Sequence, residues 1–374
     1  MKGNTWKKIF CYLVVAAILV VLIYGIYMLV RKSNEQLVFS DTVATIREAP
    51  HNPANDYQHQ NSFADIVLGA VNGNMYFASI GEYNFVGESE YAYWLTALEK
   101  TGPRKLHKVM NQVLTICNGY CYYLEWDKTT RENYLYAYNL MTEATSKVVA
   151  WDKSLNYIEN YWFVEDETLY LQISPDEELY YPVTGTDVGA PVKKAVYVAQ
   201  NGYYTVIKGA AYFCDNRGER QKVDIPERWE MTRLIPCTEG VLLHNDGAQC
   251  PLYLIESDSV DLIPLFEMEC DFSCTAMNVY GDYAYLSVLR YKDHSDVWDY
   301  KRYENDSVEG TYRIDLQDYT VEKLNDHIFD SLYIFDGTGI FAVRDDGTVY
   351  KMDFDGKIQQ IVIGRSDNFY RSRY

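Results

Sequence analysis

The chain is short of cations: 34 Lys and Arg stand against 53 Asp and Glu in 374 residues, a formal charge of −19. Nucleic-acid binding depends largely on Lys and Arg displacing counterions from phosphates, so direct DNA or RNA binding is not expected. Proline is scarce at 10 residues while 48% of the chain is apolar, a balance that excludes a disordered polypeptide. The six histidines, His51, His59, His107, His244, His294 and His327, have no two at metal-ligand spacing, so neither a metal centre nor a cofactor is expected. No G-x-S-x-G elbow, H-E-x-x-H or phosphate-binding Gly-rich loop is present, which removes the common hydrolase, zinc-protease and nucleotide signatures. Amphipathic helical periodicity is almost missing after residue 32, which excludes a helical body.

One long apolar run is present. Ile9 to Val30 reads as 22 residues without a charge, and about 20 such residues span a bilayer core as a helix. It closes on Tyr27, Met28, Leu29 and Val30 rather than on a small-x-small cleavage site, so an uncleaved signal anchor is expected. Lys2, Lys7 and Lys8 on one side face Arg31, Lys32 and Arg47 on the other, so flanking charge hardly orients the span. By analogy with exported anchored domains, the expected arrangement has residues 1–8 as a short cytoplasmic tail, 9–30 in the cell membrane and the rest extracytoplasmic. Residues 31–64 are polar and read as a stalk with one strand near Leu37 to Ile46, and the body is expected over 65–374.

Eight cysteines include Cys11 in the span, which leaves an odd seven outside it: Cys117, Cys121, Cys214, Cys237, Cys250, Cys270 and Cys274. In Cys117-Asn-Gly-Tyr-Cys121 a two-residue Asn-Gly hairpin pairs Cys117 with Tyr120, whereas a three-residue loop sets the two thiols on one face and permits a disulfide. Reduced thiols packed as small apolar groups are the default expectation.

The most unusual abundance is 36 tyrosines, a side chain suited to half-buried strands. Seven turns are each followed by a short apolar or aromatic strand, beginning at Asn72-Gly73, Asn118-Gly119, Asp166-Glu167, Asn201-Gly202, Glu239-Gly240, Gly281-Asp282 and Asp336-Gly337. A second strand follows each, at Tyr93, Tyr136, Tyr180, Tyr212, Tyr253, Tyr312 and Tyr350. From Tyr93 to Tyr350 the mean interval is about 43 residues, the length of a four-stranded propeller blade. The fold class is therefore all-β, a single β-propeller of seven blades; rings of six or eight stay open because the intervals vary from 32 to 59 residues.

The Asn/Asp-Gly turn, aromatic strand and Leu-Tyr strand resemble the tyrosine-rich, propeller-type repeat domains of membrane-anchored surface proteins of Gram-positive bacteria. The resemblance spans Asp65 to Gly364 and implies an extracytoplasmic propeller used for binding, with no catalytic residue to carry over. Other propeller signatures fail: Trp126-Asp127, Trp151-Asp152 and Trp298-Asp299 do not follow the blade period, and Kelch-type double glycines are missing.

The longest interval, in the sixth repeat, carries Arg290, Tyr291, Lys292, His294, Trp298, Tyr300 and Arg302. Trp, Tyr and Arg are enriched at binding hot spots, so Arg290, Tyr291, His294, Trp298, Tyr300 and Arg302 are the expected ligand-contact residues. A weaker candidate is Gly81 to Tyr91, with Glu82, Tyr83, Phe85 and Glu90. The expected role is a membrane-tethered module that binds an envelope protein, peptide or glycan. Two alternatives are a cell-envelope carbohydrate-active enzyme with carboxylates converging near the axis, and a structural subunit of a membrane complex.

Overall fold

The computed structural model describes residues 19, 20, 22, 24, 38–39, 66–71, 74–80, 93–99, 102–110, 112–151, 162–165, 167–172, 179–193, 197–207, 210–225, 233–244, 252–266, 272–290, 308–335, 339–344 and 348–364. Within 66–364 they form seven antiparallel sheets in chain order, blades 1 to 7, over residues 66–109, 112–151, 162–193, 197–222, 233–264, 272–325 and 331–364. Each blade is a meander whose strands pair in sequence order; blade 3 splits its outermost strand into two short pieces that both pair with Leu179–Thr184. The seven-bladed β-propeller read from the repeats is the observed architecture.

Every repeat falls in the same place. The seven turns join the first and second strands of their blades, and the seven tyrosine-marked segments are the third strands. At Asn118-Gly119 both residues have positive φ, 46° and 75°, the conformation that lets a two-residue loop follow the twist of its strands. Cys117 therefore pairs with Tyr120 rather than with Cys121. The two cysteines pack into different inter-blade clusters, and Cys117, Cys121, Cys214 and Cys274 are buried. Cys11, Cys250 and Cys270 lie outside the described residues.

Third strands of blades 2, 4, 6 and 7 end on or run into Asn139, Asp215, Asp315 and Asp353, whose side-chain oxygens accept amide hydrogens of the turns that follow. Such side-chain turns explain why the polar stretch after each Leu-Tyr strand is rich in Asp and Asn.

The inner strands of blade 7, Ser331–Phe335 and Gly339–Val343, are buried on both faces, while outer strands such as Arg220–Lys222 are exposed. This gradient follows from radial stacking: a strand near the axis has a neighbouring blade on each side. Six apolar clusters each draw on two adjacent blades; in one of them Tyr122, Leu124 and Leu135 of blade 2 pack with Trp162 and Leu169 of blade 3. Ring closure is made the same way, by Leu68, Met75 and Phe77 of blade 1 against Tyr333, Phe335, Phe341, Val343 and Val349 of blade 7.

Of the expected span only Leu19, Val20, Leu22 and Tyr24 are described; they are helical and exposed. Among the described residues no helix is long and apolar enough to cross a membrane. Within 31–64, Val38–Phe39 forms a strand on the outer edge of blade 7, paired with Ile363 and Gly364.

Candidate functional site

Strand order gives the ring two unlike rims. Turns joining first to second and third to fourth strands share one end, the hairpin rim. Connections from second to third strands, and from each blade to the next, share the other end, the loop rim. The sixth-blade connection leaves the strand Tyr283–Arg290 and returns at Gly310–Asp315, so it belongs to the loop rim. The connection between Asn74–Ile80 and Tyr93–Glu99 in blade 1 belongs there too. Arg290 is the last residue of its strand, opposite Phe272. Tyr291, His294, Trp298, Tyr300 and Arg302 lie outside the described residues, as do Glu82, Tyr83, Phe85 and Glu90.

Blade 2 supplies the best-defined part of this rim. Asp127 ends the strand Tyr120–Asp127, and its Oδ1 accepts the amides of Thr129 at 2.7 Å and Thr130 at 3.3 Å. Lys147 Nζ donates to Asp127 Oδ2 at 2.9 Å and lies 3.2 Å from the centre of the Tyr134 ring. The Lys147 ammonium, then the two amides, hold the Asp127 carboxyl down at about 2. Tyr134 Oη donates to Glu132 Oε2 at 2.7 Å. Beside this network Trp126 and Met110 are 43% and 47% exposed, which leaves large apolar groups facing solvent on the loop rim.

Below it, His107 of blade 1 meets the tyrosines of blade 2. Its Nε2 is 2.9 Å from Tyr123 Oη, and its ring stacks on Tyr138 with centroids 4.8 Å apart. Tyr123 in turn stacks on Tyr136 at 5.6 Å. Burial lowers the His107 pKa from its ordinary 6.5, against the opposing charge of Glu125. The neutral ring is thus favoured in the fold. A histidine whose folded pKa lies below its unfolded value costs stability as pH falls below the unfolded value, because the unfolded chain then binds the proton more readily. Urea unfolding is expected to show a steeper loss of stability below about pH 6.5 for the parent chain than for His107→Gln. Parallel curves would remove His107 as the source.

Tyr123 and Tyr138 are buried, so the surface itself offers the exposed Trp126 ring beside an ordered lysine and hydrogen-bonding carboxylates, which suit recognition of a polar partner with flat or extended groups. Among the described residues no group of three or more His, Cys, Asp or Glu is placed to hold a metal ion. Sequence reading missed the His107 group, because its members are 16 and 31 positions apart on different blades and share no local motif. It also set aside Trp126-Asp127, whose aspartate proves to organise the turn and the lysine.

No protein-family model matches the sequence. A search of curated proteins gives no match either. Among solved structures, similar ones include TolB from Acinetobacter baumannii, at 10% identity and a TM-score of 0.43, covering 82% of this chain and 65% of that one. The β-propeller domain of the Trilobed protease from Pyrococcus furiosus, described as having an open velcro topology, is 10% identical with a TM-score of 0.44, covering 81% and 99%. Sqt1 from Saccharomyces cerevisiae is 11% identical with a TM-score of 0.41, covering 89% of each chain. The chain thus spans about two thirds of the TolB chain it resembles.

Proposed function

We propose that the protein is a binding platform held at the cell membrane of a Gram-positive bacterium by residues 9–30, with its N-terminus cytoplasmic and its propeller extracytoplasmic. It engages an envelope protein, peptide or glycan through the loop rim. The observation that supports this reading is the convergence of two aromatic and charged connections, 81–92 and 291–309, on one rim of a closed ring. A rigid ring with buried inner strands presents such connections without reorganising its core. The exposed Trp126 and Met110 extend the same rim.

The test uses the full chain in detergent, mixed with solubilised envelope and wall fractions. Substituting Trp298, Tyr300 and Arg302 together by alanine is expected to lower partner recovery about ten-fold or more, since hot-spot truncations cost roughly 2 kcal/mol or more each. Equal recovery by both chains would falsify the assignment of the sixth-blade connection.

A further inference from the structure

The strand Val38–Phe39 fixes where the chain joins the ring. Val38 pairs with Gly364 and Phe39 with Ile363, antiparallel to the last strand. That last strand, Ile358–Gly364, follows a hairpin turn and ends at the loop rim. Val38 therefore sits at the loop-rim end of blade 7. Only residues 31–37 separate it from Val30, the end of the apolar run, a reach of about 25–29 Å at full extension. Running back to the hairpin rim along the seven residues of the last strand would use roughly 20 Å of that reach.

Among the described residues both rims carry exposed acids, and the C-terminal segment adds cations. In the hairpin-rim turns the exposed side chains include Glu167, Asp187, Glu219, Glu239 and Asp318, against Arg217 and Lys357. The loop rim has the exposed Lys128 and Arg131 beside the exposed Glu132 in blade 2, and the exposed Asp224 and Asp326 just past the last strands of blades 4 and 6. Residues after Gly364 start from the loop rim and carry Arg365, Arg371 and Arg373 against Asp367. An anionic bilayer surface attracts the cations of that C-terminal segment.

We propose that the loop rim, where the chain from the apolar run joins the ring, faces the bilayer and that the hairpin rim faces away from it. This rests on the anchored-platform reading above and deepens it, because a partner engaged by the loop rim must then be held at the membrane surface.

The experiment reconstitutes the full chain in vesicles containing an anionic lipid and a headgroup-attached energy-transfer acceptor. A donor dye is placed on Thr130→Cys at the loop rim or on Arg217→Cys at the hairpin rim, with the parent chain giving the labelling background of native thiols. Transfer from position 130 is expected to exceed that from position 217 about two-fold or more, given strands some 20 Å long. Equal transfer, or more from position 217, overturns the orientation while carbonate-resistant association with the vesicles keeps the anchor. Release of the chain by carbonate overturns both.

Discussion

Replacing Tyr204 with alanine is expected to lower the unfolding free energy by about 3–5 kcal/mol, the range for deleting a buried aromatic side chain. Tyr204 belongs to blade 4 and is completely buried. Its ring packs at 5.1 Å from Phe213, and its hydroxyl crosses to blade 5, where it donates to Ser259 O at 2.5 Å and accepts from Ser259 N at 2.9 Å. Burial pushes its pKa up to about 12, so the hydroxyl stays protonated and able to donate. Tyr204→Phe keeps the ring and leaves the Ser259 amide without that acceptor, an expected loss of about 1–3 kcal/mol. Tyr138 is the control: its hydroxyl is buried without a hydrogen-bond partner among the described residues. Tyr138→Phe is therefore expected to be neutral or slightly stabilising. Denaturant unfolding of the three variants checks both halves; a neutral Tyr204→Phe would show that the ring alone joins the blades.

The same device recurs between blades 2 and 3, where Tyr122 Oη accepts from Gly185 N at 2.9 Å. Both tyrosines stand on second strands and reach a turn between third and fourth strands of the next blade. This is a physical reason for the tyrosine content: each side chain fills an inter-blade space and satisfies a turn amide at its tip.

Turn chemistry and the 43-residue beat were legible because they are local: Asn118-Gly119 is a hairpin signal in its own right, and Tyr136, Tyr180 and Tyr253 mark third strands in register. Which residues meet across blades was not legible, since Tyr204 and Ser259 are 55 positions apart and Tyr122 and Gly185 are 63 apart. The role of Val38–Phe39 was hidden for the same reason. Two residues that join a sheet more than 320 positions later carry no periodicity of their own. Trp298, Tyr300 and Arg302 were chosen on residue type, and topology places their connection on the loop rim without adding to their chemistry.

Phe77→Ala is expected to cost about 3–5 kcal/mol as well, but through a different link, the closure of the ring. All four core strands of blade 7 come from residues 331–364, so among the described residues no strand is exchanged between the first and last blades to lock them. Val38–Phe39 adds only a two-residue outer strand. Closure therefore depends on side chains: Phe77, fully buried, shares a cluster with Phe335 and Phe341, whose rings meet edge to face at 5.4 Å. Truncating Phe341 as well is expected to add less than its separate cost, because the two share one cavity. Hydrogen exchange should then accelerate first in blades 1 and 7, whose junction has lost its packing, before it does so in blades 4 and 5. Val38→Pro removes at most the outer pairing, so about 1–3 kcal/mol bounds its effect. A Val38→Pro variant less stable than Phe77→Ala would mean that the outer strand, and not the apolar junction, holds the ring closed.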